Sequence, residues 1–444
     1  MVKVGMVFLG CPKNQVDAEI LLNKIACGGY ELCADAALAD VAIVNTCGFI
    51  ESAKQEAIEE IMELGTLKAE GQIKKLIVTG CLAQRYAQDI LNSLPEVDAV
   101  VTLGCNADIC SVIERVLAGE RVMAIGNNTD LPLEGDRVQT TPRFFAYLKI
   151  AEGCDNCCSY CTIPSIRGHF RSRKMEDVIA EAKTLARGGV RELIVVAQDT
   201  TRYGEDIYGE LKLSELLREL CKVEELRWIR IMYCYPDRIT DELLDTIANE
   251  EKIVKYMDIP LQHVCGDILK AMNRRGNEQS IEALIAKIRE RVPGIVLRTT
   301  FITGFPGETN EQFEQLCEFI KRTRFERLGC FGYSAEEGTA AAGLEGAVDA
   351  EEIERREQII TEQQLYILDQ LCEAMVGQDV TVSVESYDRY AECFFGRSFA
   401  DAPDIDCKVF FTAKKRPSPG EFVTVHIEEA IEGDLFGKLK EDLQ

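Results

Sequence analysis

The chain has 444 residues, 46% of them hydrophobic and 28% charged, the composition of a soluble globular protein of about three domains rather than a disordered one. No apolar run approaches the ~18 residues of a membrane helix, and the apolar N-terminus is cut short by Pro12, Lys13 and Asn14, too early for a secretory leader; a cytoplasmic location is expected. The net charge of −25 disfavours phosphate polymers and favours basic partners.

In chain order, the first 130 residues alternate strands and helices. Strands are predicted at Val2–Leu9, Val41–Asn45, Leu76–Thr79 and Ala99–Leu103, and helices at Val16–Ile25, Ser52–Leu64 and Gln84–Leu94. Ser52 and Gln55 have the spacing of a capping box. This alternation predicts a parallel sheet covered by helices. Residues 127–142 lack periodicity, contain Pro132 and Gly135, and read as a linker.

A longer β/α series follows, with strands at Phe145–Ile150, Glu192–Val196, Ile229–Tyr233, Tyr256–Pro260, Ile295–Ile302 and Arg327–Tyr333. Six such units are enough for a barrel or partial barrel. Glu351–Met375 reads as a charged amphipathic helix closing the unit. From Gly377 four short alternating strands predict a small all-β barrel of OB-like size. The fold class is therefore α/β with a terminal β-barrel, divided at 1–130, 142–376 and 377–444.

Nineteen cysteines and only three histidines in a long chain point to thiolate metal ligands rather than disulfides. Cys154, Cys158 and Cys161 form C-x3-C-x2-C in the loop after a strand, where a barrel places its active site. This is one thiolate short of full ligation of a four-iron cluster, leaving an open iron. Paired zinc knuckles, Cys154 with Cys157 and Cys158 with Cys161, are the metal alternative, although such pairs usually stand further apart. Buried thiols are the other alternative, but the interspersed Asp155, Asn156 and Ser159 do not read as core.

Cys11, Cys47 and Cys81 lie 36 and then 34 residues apart, each just past the end of a predicted strand and next to a glycine. Strand ends of a parallel sheet share one edge, so three thiolates can converge there as a second cluster site. Small residues in tight turns, or a zinc site, are the competing readings. Cys27, Cys33, Cys105 and Cys110 read as structural thiols, and Cys234 has no assigned role.

The first motif, with Tyr160 before its last cysteine, resembles the radical S-adenosylmethionine (SAM) superfamily. That resemblance implies SAM on the open iron and its reductive cleavage to a radical that abstracts hydrogen. It also implies SAM contacts from Tyr160, from Gln198 at a strand end, and from Thr303 and Gly304 in Thr300–Glu308, a segment that otherwise reads as a strand-to-helix turn. With both cysteine sets and the terminal barrel, the whole chain resembles the methylthiotransferases. The resemblance then implies two [4Fe-4S] clusters on Cys11, Cys47, Cys81 and on Cys154, Cys158, Cys161, with SAM as radical source and methyl donor.

Leu9–Asn14, Asn45–Ile50, Ala197–Gly204, Asp258–His263, Met272–Gly276 and Pro419–Phe422 resemble the branch that modifies the β-carbon of an aspartate in small-subunit ribosomal protein S-twelve. The family implies an electron donor such as flavodoxin or ferredoxin, no membrane and no direct tRNA binding, with a TRAM-like barrel for docking substrate. From Gly377 to Gln444 there are 14 acids and 8 bases, which suits docking on a basic protein and leaves Lys414–Arg416 as a solvated turn. Arg202 and Arg298 are candidate partners of the substrate carboxylate, Asp199 a further candidate to face SAM, and His263 a structural hydrogen-bonding residue. No general acid or base is assigned. The competing functions are a tRNA adenosine methylthiotransferase and an RNA- or ribosome-binding protein with structural zinc.

Overall fold

The computed structural model describes residues 1–443. The N-terminal sheet comprises β1 (Lys3–Phe8), β2 (Glu31–Cys33), β3 (Val41–Thr46), β4 (Lys75–Gly80), β5 (Ala99–Val101) and β6 (Val122–Ala124). All pairings are parallel, in the order β2-β1-β3-β4-β5-β6. Helices Pro12–Cys27 and Ile109–Leu117 cover one face, and Glu51–Ala69 and Cys81–Ser93 the other. With both faces covered, β3 is buried at every residue, as a central parallel strand must be. The order reverses between β1 and β3, and such a switch point opens a crevice at the carboxyl ends of the strands.

The short strands β2 and β6 and the helix Ile109–Leu117 were not anticipated; three residues are too few to show a period. The expected Ser52–Gln55 capping box is absent. The helix starts one residue earlier, after Ile50 and without a side-chain cap, and Gln55 instead reaches Glu59 (2.7 Å).

The central unit contains β7 (Phe145–Lys149), a short antiparallel pair β8 (Ala151–Glu152) and β9 (Arg171–Ser172), then β10 (Glu192–Val196), β11 (Trp228–Ile231), β12 (Ile253–Gln262), β13 (Val296–Thr303) and β14 (Arg327–Gly332). The sheet runs β7-β10-β11-β12-β13-β14, parallel throughout. Strand follows strand in chain order, but β14 does not close onto β7, so the unit is a partial barrel. Its outer face carries the largest apolar cluster, against the helices. Its inner face meets Val16 and Ile20 of the first helix and Phe399, Ala400 and Ala402 of the last unit.

Helix Ala350–Glu373 leads into a closed barrel of β15 (Asp379–Asp388), β16 (Cys393–Arg397), β17 (Val409–Thr412), β18 (Phe422–Ile431) and β19 (Asp434–Leu439). The fifth strand was unforeseen. It returns from β18 through Glu432 and Gly433, both at positive φ, a tight hairpin turn without the usual Asn-Gly signal. The barrel docks at the amino ends of the core strands. Trp228 meets Phe422 edge-on (4.7 Å), and Arg397 pairs with Glu192 (2.8 Å) and Arg327 with Asp401 (2.5 Å). The barrel leaves the carboxyl ends, which carry the cysteine loop, to face the N-terminal unit. No helix is long and apolar enough to cross a membrane among the described residues.

Candidate active site

The first cysteine set lies at the switch point. Cys11 caps the helix after β1, Cys47 follows β3, and Cys81 opens the helix after β4. Gly10, at φ +101°, has no side chain because a Cβ there would stand 2.8 Å from the Cys47 Cβ. A Cβ on Gly48 would likewise meet the Leu82 Cα at 2.7 Å. Asn14 binds the loops together, donating to the Leu9 carbonyl (2.9 Å) and the Thr46 carbonyl (3.3 Å), while Asn45 donates to the Asn14 carbonyl (3.1 Å). Burial pushes the Cys81 thiol up to about 11 against the pull of Arg167, and burial and the nearby Cys11 raise Cys47. These thiols are therefore protonated when the site is empty, and metal uptake must release their protons.

The second set occupies the loop after β8. Gly153 sits at φ +80°, where a Cβ would fall 2.1 Å from the His169 carbonyl oxygen, so the chain passes His169 backbone to backbone. The loop is pinned by amide hydrogen bonds from Cys154 to Gly168 (3.1 Å) and from Ser159 to Met272 (3.0 Å). Burial raises the Cys154 thiol to about 11; burial and the neighbouring Cys158 raise Cys161 further. Arg274 donates to the Cys158 sulfur (3.6 Å) and the Pro260 carbonyl (2.6 Å) and lies over the Tyr235 ring. Cys157 points out to solvent at φ +50°.

Neither set contains histidine, and among the described residues no three His, Cys, Asp or Glu side chains are arranged for a single metal ion. A four-iron cluster takes each thiolate on a different iron, so three soft donors, on three loops in the first set and along one loop in the second, fit that group.

The two sets lie on either side of the domain boundary. A buried charge quartet joins them: Lys149 and Arg167 of the core each contact Asp17 of the first helix and Glu152, the latter at 2.7 and 3.1 Å. Arg167 also donates to Asn14 Oδ1 (3.3 Å) and the Cys81 sulfur (3.4 Å). Burial alone would raise the Glu152 carboxyl, but the Arg167 and Lys149 charges outweigh it and hold it down to about 2. Replacing Glu152 by Gln leaves two buried cations with one carboxylate, so Glu152→Gln is expected to cost roughly 3–5 kcal/mol. Chemical denaturation checks this, with a clear fall in midpoint the expected outcome.

A cleft of about 570 Å3 opens between the two units. Phe49–Ser52, directly after Cys47, form one wall. Tyr160, Gln262, Thr300 and Ile302 with Phe331–Ser334 form the other. Glu336 at its rim is paired by Arg85 (2.8 Å) and Lys54 (3.1 Å) of the N-terminal unit.

Of the residues expected at SAM, Tyr160 lines this cleft, and the other three are placed differently. Gln198 donates to Glu152 (2.6 Å), Thr303 is buried beside the Cys330 thiol, and the Gly304 amide is held by Glu308 while its α-carbon packs on Ile353. Within Thr300–Glu308, Thr300 and Ile302 line the cleft while Gly304 and Glu308 form a strand-to-helix turn. Asp199 is bound by Asn156 (2.9 Å) and Arg238 (3.1 Å). Arg202 already pairs with Asp155 and Glu205, and Arg298 with Asp258 and Asp406, so neither stands free for a substrate carboxylate. His263 is buried, accepting from the Cys265 amide (3.0 Å) and bonding Glu308 (2.9 Å), a structural use. Cys234 is buried against Thr200. Sequence reasoning missed Lys13, Arg167, Arg274 and the aromatic wall Phe49, Phe331 and Tyr333. The strand-end position of Phe331–Tyr333 was the available signal for the wall.

A partial parallel barrel with a C-x3-C-x2-C loop at its carboxyl edge defines a radical SAM enzyme, and the Radical SAM superfamily model matches residues 148–320. Models described as uncharacterized protein family UPF0004 and TRAM domain match residues 3–102 and 376–439. The chain is 47% identical over 439 residues to the ribosomal protein uS12 methylthiotransferase RimO of Thermoanaerobacter sp. (strain X514), covering 99% of this chain and 100% of that protein. It is 45% identical to the RimO of Clostridioides difficile (strain 630) over the full length of both. The chain belongs to the RimO family of ribosomal protein uS12 methylthiotransferases. In fold it is similar to the radical SAM methyltransferase TsrM of Kitasatospora setae, with a TM-score of 0.57 at 15% identity over 77% of each chain. SAM and a [4Fe-4S] cluster come with the superfamily.

Proposed function

We propose that this protein transfers a methylthio group to the β-carbon of an aspartate in ribosomal protein uS12, the S-twelve protein of the small subunit, acting in the cytoplasm. The observation that carries the reading is the shared cleft, walled by the segment after Cys47 and by Tyr160 between Cys158 and Cys161. In this reading Cys154, Cys158 and Cys161 hold the SAM-binding [4Fe-4S] cluster and Cys11, Cys47 and Cys81 a second one. When bound, these groups supply one-electron cleavage of SAM, hydrogen abstraction and sulfur; an external donor such as flavodoxin or ferredoxin supplies the electron.

The chain's own contribution is placement. Gly10 and Gly153 bring the cysteine loops close, Arg167 and Arg274 set positive charge against Cys81 and Cys158 sulfur, and the apolar wall of Phe49, Ile302 and Phe331 limits water around a reactive centre. The quartet holds the two units in one register, which fixes the distance from sulfur source to radical source.

A tRNA reading would draw on the barrel's outer ladder of Phe395, Phe410 and Phe436. Those rings are half-buried against one another, Phe395 and Phe410 tilted with centroids 5.9 Å apart and Phe410 and Phe436 stacked at 5.2 Å. The acid excess of the barrel opposes phosphate and suits a basic ribosomal protein. Binding of uS12 is therefore expected to weaken about tenfold or more as salt rises from about 0.01 to about 0.15 M, where the screening length falls from about 30 to about 8 Å. Salt-insensitive uS12 binding, or tight tRNA binding with a steep salt slope, would refute this docking account.

A further inference from the structure

Burying a charge without a counter-charge is costly, so native proteins pair buried cations. Eight lysines and arginines are buried here, and six of them contact carboxylates. The exceptions are Arg274 and Lys13, one beside each cysteine set. Arg274 has the Cys158 sulfur as its partner. Lys13 is 7% exposed and forms no ion pair among the described residues; its ionisable neighbours are Tyr233, Cys11 and another cation, Arg167.

The Lys13 ammonium stands 3.3 Å above the centroid of the Tyr233 ring. Tyr233, just past β11, is held at φ +62°, with its amide donating to Asp258 Oδ2 (3.1 Å). A left-handed tyrosine is a strained arrangement of the kind that persists at functional positions. Cation–π attraction offsets part of the burial cost, and the Cys11 sulfur adds some attraction, but no carboxylate is paired with the ammonium. Lys13 also lies two residues after Cys11, across the domain boundary from Tyr233, which follows the carboxyl end of β11.

We propose that Lys13 receives the side-chain carboxylate of the substrate aspartate and so sets the preference for a carboxylate-bearing residue. This rests on the function proposed above. The β-carbon is bonded directly to the carboxyl carbon, so an ion pair at the carboxylate fixes the reacting carbon within one bond. A flexible lysine stem can follow that carboxylate as the substrate enters. Arg202 and Arg298, whose charges are already satisfied, leave this role to Lys13.

The test is a binding comparison with cluster-loaded protein and SAM but no reductant, so that nothing turns over. Native uS12 is compared with uS12 whose target aspartate is replaced by asparagine, on the wild type, Lys13→Met and Lys13→Arg. The wild type is expected to prefer the aspartate form by about 10- to 100-fold. Lys13→Met should bind both forms at the asparagine level, and Lys13→Arg should keep part of the preference. A wild type that does not discriminate, or a Lys13→Met variant that still does, overturns the proposal. The second result would mean that Lys13 only balances sulfur charge at Cys11. Should Lys13→Met fail to take up clusters, Lys13→Gln replaces it and the wild-type comparison still decides. Failure of the wild type to bind either form of uS12 would remove the proposed function along with this inference.

Discussion

Alanine at Cys154, Cys158 or Cys161 is expected to reduce reductive SAM cleavage to background, a loss well beyond the 10- to 100-fold that even outer-shell partners of a metal site typically cost. Each substitution leaves two thiolates where three are needed. The loop offers no replacement, because Cys157 faces solvent and its carbonyl is tied down by Asn273 (2.8 Å). The measurement is 5′-deoxyadenosine formed per chain under a strong reductant. Cleavage at the wild-type rate in any of the three variants would mean that this loop does not hold the SAM-binding cluster.

Alanine at Cys11, Cys47 or Cys81 is expected to separate the two halves of the reaction. SAM cleavage should persist, uncoupled, while methylthio product disappears, and iron should fall from about eight to about four per chain. The separation follows from the architecture: these three thiols sit on the N-terminal sheet, and Cys154, Cys158 and Cys161 on a loop of the core pinned by Gly168 and Met272. Cys81 is the variant most exposed to a secondary effect. Its sulfur accepts from Arg167, so its loss also disturbs the quartet, and Cys11→Ala or Cys47→Ala is the cleaner comparison. Equal loss of SAM cleavage in both cysteine sets would contradict a division into two clusters.

The elements carrying this site were legible because buried parallel strands announce themselves. β3 and β4 are short, continuous apolar runs ending in Asn-Thr and Thr-Gly, with Cys47 and Cys81 directly after them, and Cys11 follows β1 after Leu9 and Gly10. The order of the core sheet followed from the same β/α alternation. What the sequence hid was pairing across the domain boundary. Asp17 and Lys149 are 132 residues apart, and nothing local to either shows that they meet. The same blindness hid the polar partner of Gln198, and local turn geometry that of Gly304. Gln198 Nε2 donates to Glu152, buried from another segment, and the Gly304 amide to Glu308 four residues on. Arg298 shows a related effect: besides Asp258 of the core, its second carboxylate partner, Asp406, comes from the C-terminal unit.

The most direct test of the central claim is a competition assay on anaerobically reconstituted protein supplied with SAM, reductant and sulfide. Ribosomal protein uS12 and unfractionated tRNA are offered together, and the products are read by mass spectrometry. The account predicts a methylthio adduct on an aspartate of uS12 and none on tRNA. An adduct on adenosine with uS12 unmodified would contradict it.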